Sequence, residues 1–388
     1  MFHLSLLLLL PVAAVSGWYA GYRHKKTIEI APPVVQHDYF LGLNYLINEQ
    51  PDKAVDVFIK MLEVNTDTVE THLALGSLFR RRGEVDRAIR IHQNLIARPQ
   101  LDRKQRMQAL FELAQDYLRA GVLDRAERLF LELIELEGDV VSSLNNLINI
   151  YQQQKDWQQA ITTAKKLASL SNINVNNAVA HYYCELAEQS RHNHRNQQAH
   201  EYLKEALSYD KHCARASIIS GKLFIESGEY KLAINAFRHV YGQDAEYISE
   251  VIVLLADCYK KINCEEEFVD YLSKYIAENP RIYFVLAMTD YICGKQGEMA
   301  AIEYLTNQSH RCLSIRGLRH MLSLYINSSD PATKDKLLLL KEFIDKLSEH
   351  KPVYRCIHCG FAGKQLYWQC PSCKRWNSVK PIHGLEGD

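Results

Sequence analysis

Four cysteines near the C-terminus have the residue type and the spacing of a metal site. They form two Cys-x-x-Cys pairs, Cys356 with Cys359 and Cys370 with Cys373, and ten residues separate the pairs. In each pair a tight turn can offer both thiolates to one ion, and Gly360 suits such a turn. Because four soft thiolates select tetrahedral zinc or iron, we predict one metal ion, zinc or iron, bound by all four cysteines.

Two other interpretations of these cysteines are weaker. A pair of disulfides would not persist in a reducing cytoplasm, where the anchor predicted below places this end of the chain. A thioredoxin-like redox motif accounts for one Cys-x-x-Cys pair but not for two, and its βαβ context is missing. His358 lies inside the first pair, but Cys359 supplies the second ligand, so we place His358 on the surface. The six other cysteines, most of which we interpret as small buried apolar side chains, are Cys184, Cys213, Cys258, Cys264, Cys293 and Cys312.

The tail around the four cysteines is basic and aromatic. A module of fewer than about 40 residues usually needs a disulfide or a metal ion to be stable, and the bound metal would stabilise it here. The aromatic residues expected to form its small core and to dock onto the last repeat helices are Tyr354, Phe361, Tyr367, Trp368 and Trp376. Its cations, which precede the first acid of the tail, Glu386, are Lys351, Arg355, Lys364, Lys374, Arg375 and Lys380. Such a module could stack on single-stranded nucleic acid, but the same cations would offset the negative charge of a four-thiolate site.

The middle of the chain repeats with a period near 34 residues. Small residues recur at intervals of 34, 38, 34, 39 and 34 residues, at Ala54, Ala88, Ala126, Ala160, Ala199 and Ala233. Motifs such as Leu75-Gly76-x-x-Phe79 precede them. This period and pattern resemble the tetratricopeptide repeat, a helix–turn–helix unit in which small residues let two helices approach closely. We predict an all-α tetratricopeptide-repeat superhelix of about eight to nine units, which would act through its concave surface.

Nothing in the repeats indicates catalysis. No nucleophile–base pair, Gly-rich phosphate loop or pair of carboxylates rises above chance, so we do not expect an enzyme. Arg80–Arg82 are interpreted as the solvated C-terminal cap of a helix, and His192, His194 and His200 as part of a solvated turn. The chain has 46 Lys and Arg against 46 Asp and Glu among 388 residues. This balance excludes a uniformly basic nucleic-acid binder.

The first 22 residues predict a membrane anchor. Met1–Tyr22 contain no Asp, Glu, Lys or Arg, and Arg23–Lys26 follow at once. A helix of this length spans a hydrocarbon core of roughly 30 Å, and Trp18 and Tyr19 suit its interface. A cleaved signal peptide would carry positive charge before the apolar run, and a buried helix of a soluble protein would show a polar face. Since the cations follow the run, we expect the bulk of the chain on the cytoplasmic side.

The anchor, repeats and cysteine pairs, in this order, resemble the lipopolysaccharide assembly protein B family of Gram-negative bacteria over essentially the whole chain. The most specific segments are PVAAVSGWYAGYR, QPDKAVDVFIKML, RGEVDRAIRIHQ, AHYYCELA and the tail YRCIHCG…LYWQCPSCKRWNSVKPIHGLEG. The resemblance implies a small C-terminal rubredoxin-like or zinc-ribbon domain whose ligands are Cys356, Cys359, Cys370 and Cys373. Lys374 stands where true rubredoxins usually have Gly, which favours a structural ion over electron transfer. The expected domains are an anchor over 1–22, a juxtamembrane linker over 23–36, a repeat solenoid over 37–350 and a metal-binding domain over 351–388.

For function, the resemblance implies regulation rather than catalysis. The family implies an adaptor at the bacterial inner membrane that promotes proteolysis of the deacetylase committing precursors to lipid A, through a membrane AAA+ metalloprotease. It also implies contacts with other lipopolysaccharide synthesis or transport proteins. No nucleic-acid ligand is expected, and a homo-oligomer is left open. The alternatives are a rubredoxin-like electron-transfer protein and an RNA-binding repeat protein.

Overall fold

The computed structural model describes most of the chain from residue 69 onward. The described residues are 15–19, 40–42, 44–45, 47–48, 50, 53–54, 57, 69–278, 280–312, 314–349 and 351–384. Residues 15–19 of the predicted anchor are helical, and the rest of the anchor and the linker lie outside the described residues. Among the described residues, no helix combines the length and the apolar character needed to cross a membrane. The anchor therefore stays a prediction.

Between residues 69 and 349 the described chain forms consecutive helices, as the repeat pattern predicted. The α-helices are α1 (Val69–Arg82), α2 (Val85–Ile96), α3 (Arg103–Arg119), α4 (Leu123–Glu135), α5 (Val140–Gln154), α6 (Trp157–Leu170), α7 (Asn176–His192), α8 (Asn196–Tyr209), α9 (Ala214–Glu226), α10 (Tyr230–Gln243), α11 (Ile252–Lys261), α12 (Glu265–Glu278), α13 (Ile282–Gln296), α14 (Glu298–Ser309), α15 (Ile315–Ser328) and α16 (Pro331–Glu349). A 3-10 helix, Ala245–Glu250, lies between α10 and α11. The chain divides into two compact units, Met1–Ile150 and Tyr151–Asp388.

Small residues allow the paired helices to approach closely. All six of the periodic alanines are fully buried. In the first unit, a Cβ added to Gly76 of α1 would lie 2.4 Å from Nε2 of His92 on α2. In the second unit, a Cβ added to Gly221 of α9 would lie 2.3 Å from Cε1 of Phe237 on α10. Since carbon atoms pack at about 3.5–4.0 Å, neither position has room for a side chain. The tetratricopeptide-like packing predicted from the spacing is confirmed.

Arg80 is not the solvated helix cap that the run of three arginines suggested. In the first unit its guanidinium reaches from α1 to α3, where it donates to Oδ1 of Asp116 at 2.7 Å and to Oε2 of Glu112 at 2.6 Å. Asp116 is fully buried and also contacts Nδ1 of His92 at 2.5 Å. A buried carboxylate needs such partners because it has lost its water. The interpretation of Arg80 as a cap was therefore wrong.

The C-terminal module is a small three-stranded sheet. Its strands are β1 (Tyr354–Cys356), β2 (Ala362–Gly363) and β3 (Val379–Pro381). The order is β2-β1-β3, and both pairings are antiparallel. The fully buried apolar cluster of this module consists of Cys356, Cys370 and Val379. A core of this size cannot stabilise a fold by itself, so the module, which we call the ribbon, depends on other interactions.

The close approach at Gly221 yields a first testable prediction. We expect Gly221→Ala to lower the thermal unfolding midpoint, because overpacking against Phe237 costs about 1–3 kcal/mol and outweighs the helix propensity of alanine. The matched control is Gly294→Ala in α13, where an added Cβ would have no atom within 4 Å. That change should raise the midpoint slightly. Equal shifts for the two variants in a thermal denaturation assay would contradict the packing argument.

Candidate metal centre

The four cysteine sulfurs lie together in the ribbon. All four Sγ atoms are within 4.8 Å of one another. The Sγ atoms of Cys356 and Cys373 are 3.8 Å apart, and those of Cys359 and Cys370 are 3.6 Å apart. A tetrahedral ion with metal–sulfur bonds of about 2.3 Å separates its ligands by about 3.8 Å, whereas a disulfide requires about 2.05 Å. The four cysteines therefore have the arrangement that can hold one metal ion.

The two Cys-x-x-Cys turns share one backbone geometry. In the first, the N–H of Cys356 donates to the carbonyl of Phe361 at 2.7 Å, and the N–H of Gly360 donates to the carbonyl of Cys356 at 3.0 Å. In the second, Cys370 donates to Arg375 at 2.9 Å, and Lys374 donates to Cys370 at 2.9 Å. The second turn thus repeats the first fourteen residues later along the chain. This repetition places four sulfurs around one point.

The residue after each turn adopts a left-handed conformation. Gly360 has φ +76° and Lys374 has φ +58°. Glycine adopts such angles freely, whereas a residue with a Cβ is destabilised there by roughly 1–2 kcal/mol. The Lys374 side chain is exposed, and the described residues give its ammonium no hydrogen-bond or ion-pair partner. Lys374, which stands where rubredoxins usually have glycine, therefore strains the backbone of the second turn.

The thiols differ in their surroundings. Cys356 and Cys370 are buried, Cys373 is half-buried and Cys359 is exposed. Burial alone raises the pKa of Cys356, but its contact with the Ser378 hydroxyl and backbone N–H groups outweighs this and lowers the pKa to about 6. The same hydrogen bonds favour the thiolate that a metal ion needs. His358 is exposed, as expected for a residue that is not a ligand.

Two tryptophans attach the ribbon to the helices of the second unit. The Trp376 ring stacks on the His181 ring of α7, with centroids 5.0 Å apart and an interplanar angle of 17°. It also meets Trp157 of α6 edge-on at 6.1 Å. The Trp368 ring lies 4.8 Å from the ring of Tyr247 in the 3-10 helix. Aromatic pairs at these separations contribute about 0.5–1.5 kcal/mol each beyond their buried area.

Arg215 of α9 lies against both tryptophans. Its guanidinium carbon is 5.6 Å from the Trp368 ring centroid and 6.0 Å from that of Trp376. The residue is 2% exposed, and one guanidinium nitrogen pairs with Glu185 at 2.9 Å and with Glu188 at 2.6 Å. A desolvated cation over an indole face contributes about 2 kcal/mol. The two carboxylates bind one guanidinium nitrogen, Nη2, and the two rings cover the cation, whereas Nε and Nη1 have no hydrogen-bond partner among the described residues.

His181 supports this contact as a neutral ring. Burial, followed by the nearby cations Arg215 and Lys380, lowers the pKa of His181 to about 3. Within the described residues, neither ring nitrogen has a hydrogen-bond partner. The imidazole is therefore uncharged at neutral pH and acts as a flat surface for Trp376. A charged ring at this position would repel Arg215.

Polar contacts surround the aromatic centre of the interface. The Tyr247 hydroxyl lies 2.8 Å from Oδ1 of Asn377 and donates to the carbonyl of Val379 at 3.0 Å. Lys380 of β3 forms an ion pair with Asp244. The Tyr354 hydroxyl donates to Oε1 of Glu250 at 2.7 Å. The arrangement is an apolar centre with a polar rim, the usual anatomy of a specific protein interface.

The expected docking position of the ribbon was wrong. The tryptophans contact α6, α7, α9 and the 3-10 helix, whereas the sequence had suggested the last repeat helices. The sequence could not indicate this position, because His181 and Arg215 lie more than 150 residues before the tryptophans that they contact. Phe361 and Tyr367 pack on each other inside the ribbon, with centroids 6.0 Å apart. The sequence analysis did not identify Arg215. The available signal was its position between two alanines, Ala214 and Ala216, which the structure shows to be buried.

The strained second turn yields another prediction. We expect Lys374→Gly to stabilise the ribbon by about 1 kcal/mol, because glycine relieves the left-handed strain. The matched change in the first turn, Gly360→Ala, should destabilise it by a similar amount. The measurement is the temperature at which the purified full chain releases its metal. If Lys374→Gly lowered that temperature, the lysine would have a favourable interaction that outweighs its backbone strain.

Family models match both parts of this architecture. A model described as a rubredoxin metal binding domain matches residues 354–381. Models described as tetratricopeptide repeats match residues 71–104, 111–172 and 191–248. Among solved structures, MamA from Desulfovibrio magneticus RS-1 is similar at 14% identity, with a TM-score of 0.31 over 46% of this chain and 96% of that one.

Curated relatives match nearly the whole chain. Lipopolysaccharide assembly protein B of Escherichia coli strain K12 is 39% identical over 384 residues, which cover 98% of this chain and 99% of that protein. The protein of the same name from Haemophilus influenzae is 34% identical and covers 98% of each chain. Identity at this level over full-length chains extends across the repeats and the ribbon together. The chain therefore belongs to the lipopolysaccharide assembly protein B family.

Proposed function

We propose that this protein is a membrane-tethered adaptor that regulates lipopolysaccharide synthesis. Two lines support the proposal: its relatives are named lipopolysaccharide assembly protein B, and tetratricopeptide repeats act through extended binding surfaces. The observation that carries the adaptor role is the docking of the ribbon around Arg215. It joins the metal module to the helices, so that both contribute to one preformed surface for protein partners.

In this proposal the adaptor presents one protein to another. The presented protein is the deacetylase that commits precursors to lipid A, and the acceptor is a membrane AAA+ metalloprotease that degrades it. Other lipopolysaccharide synthesis or transport proteins at the inner membrane would use the same surface. The adaptor itself has no catalytic step in this scheme. Its effect is to raise the concentration of the deacetylase near the protease.

The metal has a structural role in the proposal. One ion, zinc or iron, is bound by Cys356, Cys359, Cys370 and Cys373. The ion replaces the core that the ribbon lacks, since the binding free energy of a structural metal is also folding free energy. Without the ion, the two turns would lose the geometry that positions Trp368 and Trp376.

The tether completes the proposal. Residues 1–22 would cross the bacterial inner membrane once, residues 23–36 would link the anchor to the repeats, and residues 37–350 and 351–388 would lie in the cytoplasm. Confining the adaptor to the membrane surface gives it a high effective concentration toward a membrane-bound protease. The supporting observation is the absence of Asp, Glu, Lys and Arg from the first 22 residues.

One observation favours a second candidate, electron transfer. The Cys359 thiol is exposed, so an ion bound there would have one ligand within reach of a redox partner. Metal analysis of the purified chain separates the candidates. Zinc would exclude electron transfer, because zinc has no redox chemistry in proteins. Iron with a reversible change in visible absorbance would support it.

Tethering can be tested in cells by exchanging the anchor. Removing residues 1–22 should raise the steady-state amount of the deacetylase several-fold, because its delivery to the protease then depends on free diffusion. An unrelated single-pass helix of the same orientation, fused before residue 23, should restore normal turnover. The measurement is the half-life of the deacetylase after protein synthesis is stopped.

The anchor exchange tests tethering, and a separate deletion of the repeats and the ribbon tests the adaptor role. An unchanged half-life in the absence of residues 1–22 would contradict tethering. If the unrelated helix failed to restore turnover, residues 1–22 would make specific contacts beyond tethering. A normal half-life in a variant whose repeats and ribbon are removed would contradict the adaptor proposal as a whole.

A further inference from the structure

The ribbon carries positive charge that its docking contact does not use. Residues 351–384 contain six Lys and Arg and no Asp or Glu. Lys380 pairs with Asp244, and Lys351 also has a partner. The other four cations are exposed, and within the part of the chain that the structure describes their charged groups have no hydrogen-bond or ion-pair partner. They are Arg355, Lys364, Lys374 and Arg375. Because unpaired charges of one sign attract the opposite sign, this surface is suited to an anionic ligand.

Two of these cations lie near an exposed aliphatic side chain. Ile357, in the first cysteine turn, is 74% exposed. Its N–H donates to the carbonyl of Ser378 at 2.8 Å, and the Ser378 hydroxyl donates to the carbonyl of Arg375 at 3.0 Å. Lys374 directly precedes Arg375 at the end of the second cysteine turn. We call Ile357, Lys374 and Arg375 the ribbon tip, which combines one apolar group with two positive charges.

The backbone strain at Lys374 indicates that its side chain has a function. The residue has φ +58°, and the first turn has a glycine, Gly360, at the equivalent position. The hydrogen bonds of the cysteine sulfurs in the described chain do not include the Lys374 ammonium. Residues in strained conformations occur mainly at functional sites. A lysine that destabilises its turn and has no partner among the described residues is therefore expected to contact a molecule outside this chain.

The aromatic rings of the ribbon are not available to a nucleic-acid ligand. Proteins bind single-stranded nucleic acid by stacking its bases on exposed aromatic rings beside a basic groove. In the ribbon, Trp368 and Trp376 pack against helices of the second unit. Phe361 and Tyr367 pack on each other. The large apolar side chain at the ribbon tip is Ile357, and it has no flat face for a base. The chemistry of the tip therefore favours an anionic lipid over RNA.

We propose that the ribbon tip contacts the anionic surface of a lipid bilayer. In this contact Lys374 and Arg375 meet headgroup phosphates, and Ile357 enters the boundary between headgroups and acyl chains. Peripheral membrane proteins bind bilayers by the same two interactions. The inference rests on the tethering proposed above, which keeps the ribbon close to a membrane. Since each cation at an anionic surface strengthens binding about fivefold, the two cations of the tip together contribute roughly 30-fold.

Lipid photo-crosslinking tests this contact. The full chain, with p-benzoyl-phenylalanine in place of Ile357, is reconstituted into vesicles of phosphatidylcholine alone or of phosphatidylcholine mixed with anionic phosphatidylglycerol. Position 357 should crosslink to lipid roughly tenfold more in the anionic vesicles, and high salt should remove the difference because it screens the charges. The control carries the photoreactive residue in place of Met299 of α14, which is 68% exposed. Its crosslinking should not depend on the lipid charge.

Two substitutions of Lys374 separate the lipid contact from folding. Lys374→Gly removes one charge together with the backbone strain, so it should stabilise the ribbon and yet lower the lipid crosslink about fivefold. Lys374→Arg keeps both the charge and the strain, and it should keep the crosslink. Amide hydrogen exchange of the chain with Ile357 intact is a second measurement. Anionic vesicles should slow exchange in residues 356–360, and phosphatidylcholine vesicles should not.

The same vesicles distinguish a failure of this inference from a failure of tethering. Flotation of the full chain with phosphatidylcholine vesicles reports on the anchor, because these vesicles carry no net charge. A chain that did not float would contradict tethering, while crosslinking in anionic vesicles would still test the ribbon tip. Equal crosslinking in both kinds of vesicle, or with and without Lys374→Gly, would overturn the inference. Crosslinks from position 357 to RNA or to another protein in native membranes, in place of lipid, would also overturn it.

Discussion

The attachment of the ribbon depends on the buried cation of Arg215. The guanidinium is 2% exposed, and it is paired with two carboxylates on α7 and covered by two indole rings from the ribbon. A buried charge is tolerated only when its partners replace water, and removing one partner of such a group typically costs 3–5 kcal/mol. Repeats and ribbon are therefore coupled, because the repeats supply the two carboxylates and the ribbon supplies the two rings that surround this charge.

The metal site and the docking contact are linked through the second cysteine pair. Trp368 lies two residues before Cys370, and Trp376 lies three residues after Cys373. The turn between these cysteines thus sets the distance between the two rings that cover Arg215. Because the buried apolar cluster in the described part of the ribbon consists of Cys356, Cys370 and Val379, the ion is expected to hold this turn in place. Metal binding then positions Trp368 and Trp376, the two side chains with which the ribbon packs against the repeats.

Local patterns in the sequence predicted much of the fold and little of the interface. The periodic alanines specify helix pairs because close packing leaves no space for larger residues. The two Cys-x-x-Cys pairs specify a metal site because their spacing is enough to build the turns. His181 and Arg215 could not be assigned, since helical periodicity shows that a residue points inward but not which distant module it meets. Arg80 was misinterpreted for the same reason, because its partners lie on another helix.

The central claim is that metal in the ribbon maintains the docked surface of the repeats. Amide hydrogen exchange of the full chain, before and after metal removal by a strong chelator, tests it most directly. The account predicts faster exchange in α7 and α9, which carry His181 and Arg215, and unchanged exchange in α3 of the first unit. Unchanged protection of α7 and α9 after complete metal loss would contradict the account.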